Sequence, residues 1–170
     1  VRAVEPGDAV QLQALYESLD VEERWHRFAN AYHPPFGFYT SLACVAARGG
    51  ARVVAVIPAS LGAGERIVGE AGYERTGDEG ELTITIAPGW QPRVAAGLIE
   101  AVAQTAAGAG VANLEIELHR HDQLLADLLR QRGAMIGASD AWALSRLRFG
   151  TAGPVTWPAS GSRPRMLVEG

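Results

Sequence analysis

The chain has 170 residues, 48% hydrophobic and 20% charged, with a formal net charge of −4. That length and balance fit one globular domain with a sizeable core, and the net negative charge excludes a nucleic-acid partner held by charge alone. The one cysteine, Cys44, excludes an intramolecular disulfide framework, fits a reducing, cytoplasmic setting, and reads most simply as a small buried apolar residue.

Residues 1–4 alternate and predict a short first strand, with no long apolar segment of signal-peptide type at the start. Pro6-Gly7-Asp8 opens a helix with Asp8 suited to its N-cap, and Val10, Leu12, Leu15, Tyr16 and Leu19 fall near helical spacing. Asp20 can cap a second helical piece that carries Glu22 and Glu23 in its first turn, then Trp25 and Phe28. His33-Pro34-Pro35-Phe36-Gly37 ends it, because paired prolines forbid continued helix. Residues 38–48 predict a short third helix ending at Gly49-Gly50.

From Ala51 the pattern changes to strands. Val53 to Ile57 reads as a buried strand, Leu61-Gly62-Ala63-Gly64 as a turn, and Ile67 to Tyr73 as a strand loosened by Gly69 and Gly72. Thr76-Gly77-Asp78-Glu79-Gly80 is the next turn, and Leu82, Ile84 and Ile86 alternate with Thr83 and Thr85 in a half-buried strand. An Ala-rich helix follows over 92–109, then an alternating strand over 114–118 and a helix capped by Asp122 and stopped by Gly133. Residues 134–149 suggest two short strands hinged near Ser139-Asp140. Apolar runs break before the roughly 20 residues a membrane-spanning helix needs, so no membrane association is expected. The order β-α-α-α-β-β-β-α-β-α-β-β is α+β, with one mixed, mostly antiparallel sheet flanked by helices. Residues 1–149 read as the domain, and 150–170, rich in Gly, Pro and Ser, as a flexible tail or an arm that adds to a neighbour.

The stretch Glu81-Leu82-Thr83-Ile84-Thr85-Ile86-Ala87-Pro88-Gly89-Trp90-Gln91-Pro92-Arg93-Val94-Ala95-Ala96-Gly97 carries the functional signal. A strand, a tight turn and a helix opening with small residues aim backbone N–H groups at an anion. Pro92 suits the first helical position, and Arg93, Val94, Ala95 and Ala96 offer amides behind it.

Three signatures resemble the GNAT superfamily of N-acetyltransferases. Leu19-Asp20-Val21-Glu22-Glu23-Arg24-Trp25-His26-Arg27-Phe28 is similar to the opening turn and Arg-Phe pair of bacterial protein lysine acetyltransferases. Gln91-Pro92-Arg93-Val94-Ala95-Ala96 resembles the Gln/Arg-x-x-Gly-x-Gly/Ala pyrophosphate motif, with Val94 in place of the middle glycine. Leu124 to Ala134 is similar to the family's Leu-Leu-Arg-Arg-Leu-Gly-Phe ending, with Asp122 where an Asn is usual and Leu129 where many members have a Tyr acid.

The resemblance implies acetyl-CoA as cosubstrate and an amine acceptor, either a protein lysine or a small amine, with a homodimer among the assemblies open to it. It implies Glu81 as general base. Ile84, Thr85 and Ile86 would meet the pantetheine arm, residues 91–97 would hold the pyrophosphate, and Asp122 would complete the cofactor side. If Val94 points at the ligand, CoA binding weakens; if it points into the core, little is lost. The alternative is a catalytically weak or inactive CoA-binding, regulatory or interaction module.

The run His119-Arg120-His121-Asp122 invites a metal reading, but zinc needs three protein ligands and no further His or Cys is near, so none is assigned. His119 could instead line an acceptor cleft. The aromatics Trp25, Phe28, Phe36, Phe38 and Tyr39 read as core or as an acceptor wall.

Overall fold

A computed structural model describes residues 1–28, 33–59, 64–119, 122–137 and 144–152. In chain order these form β1 (Arg2–Ala3), α1 (Ala9–Glu17), α2 (Val21–Phe28), α3 (Phe36–Ala43), β2 (Ala51–Pro58), β3 (Glu65–Thr76), β4 (Glu79–Ile86), α4 (Gln91–Gly108), β5 (Asn113–His119), α5 (Gln123–Gln131), β6 (Met135–Ile136) and β7 (Leu144–Gly150). Short 3₁₀ turns at Pro6–Asp8 and Val45–Arg48 are the additions to the expected order. The seven strands form one sheet, β1-β2-β3-β4-β5-β7-β6, antiparallel everywhere except between β4 and β5. The fold is therefore α+β with the mixed sheet read from the sequence.

Two cores cover the two faces. On one, α4 buries Ala95, Leu98, Ile99, Val102, Ala103 and Ala106, an i, i+3, i+4, i+7 stripe, against Val68, Ala71 and Tyr73 of β3 and Leu82 of β4. Leu125, Ala126 and Leu129 of α5 extend this core over Leu114 and Ile116 of β5. On the other face, Leu12, Leu15 and Tyr16 of α1 and Tyr39 and Leu42 of α3 pack over Val54 and Ile67.

Several local expectations change. The hairpin between β3 and β4 is tighter than the five-residue turn read from the sequence, because Thr76 already pairs with Glu79 around Gly77-Asp78. Gly69 and Gly72 each pair with both β2 and β4, and the β2 ladder shifts register at Val68, beside Gly69; both glycines leave room for neighbours. A Cβ at Gly72 would lie 2.8 Å from Arg52 Cζ. Asp8 does not cap α1; its carboxylate takes the Glu5 amide at 2.8 Å and both terminal nitrogens of Arg2 at 2.8 and 2.9 Å. Asp20 does cap α2, reciprocally with Glu23 at 2.8 and 2.9 Å.

Cys44 is exposed rather than buried, since it follows the last residue of α3 and falls between the buried Ala43 and Val45. The 61–63 part of the Gly-rich turn, the Ser139-Asp140 hinge and residues 153–170 of the expected tail lie outside the described residues. Thr151 is still part of the body, buried with its hydroxyl donating to Val111 O at 2.6 Å. Among the described residues, no helix is long and apolar enough to cross a membrane.

Candidate active site

The alternation of β4 divides its side chains between the two faces. Leu82 is buried under α4, whereas Glu81, Thr83 and Thr85 stand on the α1–α3 side, in register with Glu74, Gly72 and Glu70 of β3. On its other edge β4 pairs with β5 only through Glu79↔Asn113, Gly80↔Leu114 and Glu81↔Glu115. Beyond Glu81 the two strands diverge. Their separated edges bound a cleft of about 420 Å³. Residues 81–86 line one side of it and 116–119 the other, with Gln91, Asp122 and Leu125 nearby and Leu19, Glu23, Arg27 and Phe28 contributed by the first two helices and their junction.

Of the residues singled out from the sequence, Glu81, Ile84, Thr85, Ile86, Gln91 and Asp122 share this cleft. Pro92, Arg93 and Gly97 are exposed on α4, Val94 and Ala96 are half-buried, and Ala95 is buried in the core. Glu81 is exposed and also borders a second cavity with Glu79, Glu115 and Glu117. There Arg146 pairs with Glu115 at 2.8 Å and Glu117 at 2.5 Å, and Arg148 pairs with Glu79. Among the described residues Glu81 forms no ion pair.

At the start of α4, Gly89 takes a positive φ of 76° and turns the chain into the helix. The Arg93 and Val94 amides both donate to Trp90 O, at 2.9 and 3.2 Å, and Ala95 and Ala96 lie inside α4, where amides turn back to the carbonyl four residues earlier, so these four are not on offer as expected. The amides of Gly89 and Gln91 have no such bond among the described residues, which moves the available N–H groups toward the turn itself. Arg93 stacks its guanidinium 5.2 Å from the Trp90 ring centroid and adds positive charge there. Val94 packs on the core under α4. A Cβ at Gly69 would lie 3.4 Å from Val94 Cγ2 and 3.0 Å from Leu98 Cδ1, so the missing side chain on the strand accommodates the added one on the helix.

Behind the cleft lies a buried polar line that the sequence reading missed. The Tyr16 hydroxyl donates to Glu70 Oε1 at 2.8 Å and accepts from Thr85 Oγ1 at 3.2 Å. Glu70 is closely paired with Arg52, both buried. Burial and the Glu70 charge push the Tyr16 hydroxyl up to about 12. Burial works against the Arg27 cation, but the Tyr16 hydroxyl, Glu70 and Glu81 outweigh it and hold Arg27 charged. A signal for this line was available. Arg52 and Glu70 are lone charges in adjacent strands that otherwise read as buried, and such charges survive only when paired.

Asp122 precedes α5 without a side-chain capping bond, contrary to the expected cap, and the residue lines the cleft. Leu129, where the resemblance leads one to look for a Tyr, is fully buried in the core. His119 lines the cleft, while Arg120 and His121 lie outside the described residues. Phe28, Phe38 and Tyr39 ring Tyr16 at centroid distances of 5.6–5.7 Å, whereas Trp25 and Phe36 are exposed.

No family model and no curated protein sequence matches the chain. Solved structures do. The GNAT domain of S. lividans PAT superposes with a TM-score of 0.75 at 20% identity, over 88% of each chain. This is the GNAT fold. A GNAT-family acetyltransferase from Streptococcus pneumoniae matches at TM-score 0.68 and 18% identity, over 88% of this chain and 96% of its own. The Salmonella typhimurium acetyltransferase yncA, solved with its cofactor acetyl-CoA, matches at TM-score 0.68 and 13% identity, over 93% and 96%. At these identities the GNAT likeness is one of fold, and the chemistry rests on the cleft.

Proposed function

We propose that the chain is an acyl-CoA-dependent N-acyltransferase that moves an acetyl group from acetyl-CoA to a primary amine by direct attack. The observation that carries this reading is the divergence of β4 and β5, which opens one cleft between Glu81 and the turn leading into α4. The edges of β4 at 82–86 and of β5 at 116–118, which do not pair with each other, leave backbone groups for an extended ligand arm. The free amides at Gly89 and Gln91, with the Arg93 charge, suit a pyrophosphate at the mouth. Because Val94 faces the sheet, its extra carbons do not obstruct that approach.

In the reaction, the neutral amine attacks the thioester carbonyl carbon, the C–S bond breaks, and CoA leaves as a thiolate. Glu81 takes the amine proton through water. Leu129 offers no proton, so water returns one to the thiolate. The acceptor is cationic before it loses its proton, in keeping with the Glu23, Glu81 and Glu117 carboxylates around the cleft. A protein lysine is the acceptor favoured by the likeness of residues 19–28, and a small amine is the runner-up. Such chemistry requires an intracellular compartment that holds acetyl-CoA.

Acetyl-CoA at millimolar concentration should raise the melting temperature by mass action. Glu81→Gln should leave that shift intact and lower turnover about a hundredfold. Absence of any shift removes the reading; a shift with unaltered turnover removes Glu81 from the mechanism. A second reading, a CoA-binding module without transfer, draws on the core position of Leu129 and predicts the shift with no CoA release from any amine.

A further inference from the structure

The mechanism above leaves the line Arg52–Glu70–Tyr16–Thr85 without a role, and the direction of its protons supplies one. Glu70, held in its ion pair with Arg52, can only accept. The Tyr16 hydroxyl has one proton and gives it to Glu70 Oε1 at 2.8 Å. Its upward-shifted ionisation keeps that proton in place. The Tyr16 lone pairs take the Thr85 hydroxyl proton at 3.2 Å. Thr85 also has a single hydroxyl proton, and Tyr16 holds it. Thr85 lines the cleft with its one hydroxyl proton committed to Tyr16, so toward any further partner Oγ1 can only accept.

We infer that Thr85 Oγ1 accepts a hydrogen bond from the N–H of the attacking amine, with Tyr16 and Glu70 as positioning residues that fix its polarity. This rests on the acyl-transfer reading. An amine held by one N–H has its lone pair turned away from Thr85, toward the opening between β4 and β5. An acyl carbonyl finds no donor on Thr85, so the thioester oxygen is kept off this face. The Thr85 side chain thus serves the acceptor while its backbone stays on the donor side. Four residues of strand separate Thr85 from Glu81, about 13 Å along the chain. The released proton therefore travels through water past Thr83 rather than passing directly between the two.

The test uses the full chain with acetyl-CoA, and ethylamine and a lysine peptide as nucleophile probes, reading CoA release. Thr85→Val and Tyr16→Phe should each lower kcat/KM for the amine about tenfold, mainly through its KM. The KM for acetyl-CoA and the thermal shift it produces should stay within about twofold, as expected when only the acceptor contact is lost. Thr85→Ser, which keeps the hydroxyl, should restore most of the loss and so separate polarity from packing. Wild-type turnover with an unimpaired Thr85→Val, or a Ser variant as poor as Val, overturns this inference alone. A wild type that binds acetyl-CoA but acylates neither probe also overturns it. A wild type that neither binds acetyl-CoA nor releases CoA overturns the acyl-transfer reading beneath it.

Discussion

Under α4 and α5 the sheet presents Val68, Ala71, Leu82, Leu114, Ile116 and Leu147, all buried hydrocarbon, whereas under α1 and α3 it presents Val54 and Ile67 together with Arg52, Glu70 and Thr85. These hydrocarbon side chains have no directional bonds to make. They hold α4 by area and shape, and the small residues Ala95, Ala103 and Ala106 let the helix lie close. The second face links Arg52, Glu70, Tyr16 and Thr85 to one another, so it also fixes which way protons point. Between the two runs β4, whose Leu82 belongs to the first and whose Thr85 belongs to the second. The dry face positions the helix that would hold a pyrophosphate. The polar face orients what would meet it.

The sharpest way to break this contrast is Arg52→Met. It leaves the Glu70 carboxylate buried without its cation and should lower unfolding free energy by about 3–5 kcal/mol. Adding Glu70→Leu should recover part of that in urea melts, because the uncompensated charge is gone. If the single variant loses less than the double, the pair is not what holds this face together. A smaller effect is expected on the dry face. Gly69→Ala would bring a Cβ to 3.0 Å from Leu98 Cδ1, against the flexible end of a side chain. It should cost about 1–3 kcal/mol by overpacking and weaken acetyl-CoA binding by displacing the first turn of α4. A variant with unchanged stability and affinity would show that the fit between Gly69 and Val94 is slack.

The smallest effect concerns Asp8, at the edge of the polar side. Hydrogen bonds from Arg2 hold its carboxyl below the ordinary aspartate range, against the opposing effect of burial. A depressed value in the folded state means that the stabilisation is present above the unfolded aspartate range. It is lost as pH falls through the lower folded value. Asp8→Asn should therefore cost about 1 kcal/mol at neutral pH, after allowance for solvent around Arg2, and less in acid. A gap between the two proteins that stays constant from neutral pH into acid would rule out Asp8 ionisation as its source.

Much of the architecture was legible in one dimension. The alternation in 82–86 and 114–118, the helical stripe in α4 and the Gly and Pro breaks gave the element order, because each is a local property of the chain. The grouping of Glu81 and Gln91 in one cleft was also readable, since both lie on one strand–turn–helix segment. Three local readings failed for a shared reason. Asp8 and Asp122 look like caps by residue type, but Arg2 recruits the first and the second has no capping bond. Cys44 looks like core by residue type, but its place just past α3 turns it outward. Residue preference names the roles a side chain can fill; neighbours distant in sequence select among them.

By itself the sequence determined the α+β order, the mixed sheet and the strand–turn–helix segment from Glu81 to Gly97, since these follow from periodicity and breaker residues. Only the tertiary structure decided where Val94 points, because the space it enters is left by Gly69 on a different strand. The same holds for the line from Arg52 to Thr85. Its four members come from β2, β3, α1 and β4, and no local pattern records a contact between residues 16, 70 and 85. Burial favours their pairing, because a polar group removed from water needs a hydrogen-bond partner.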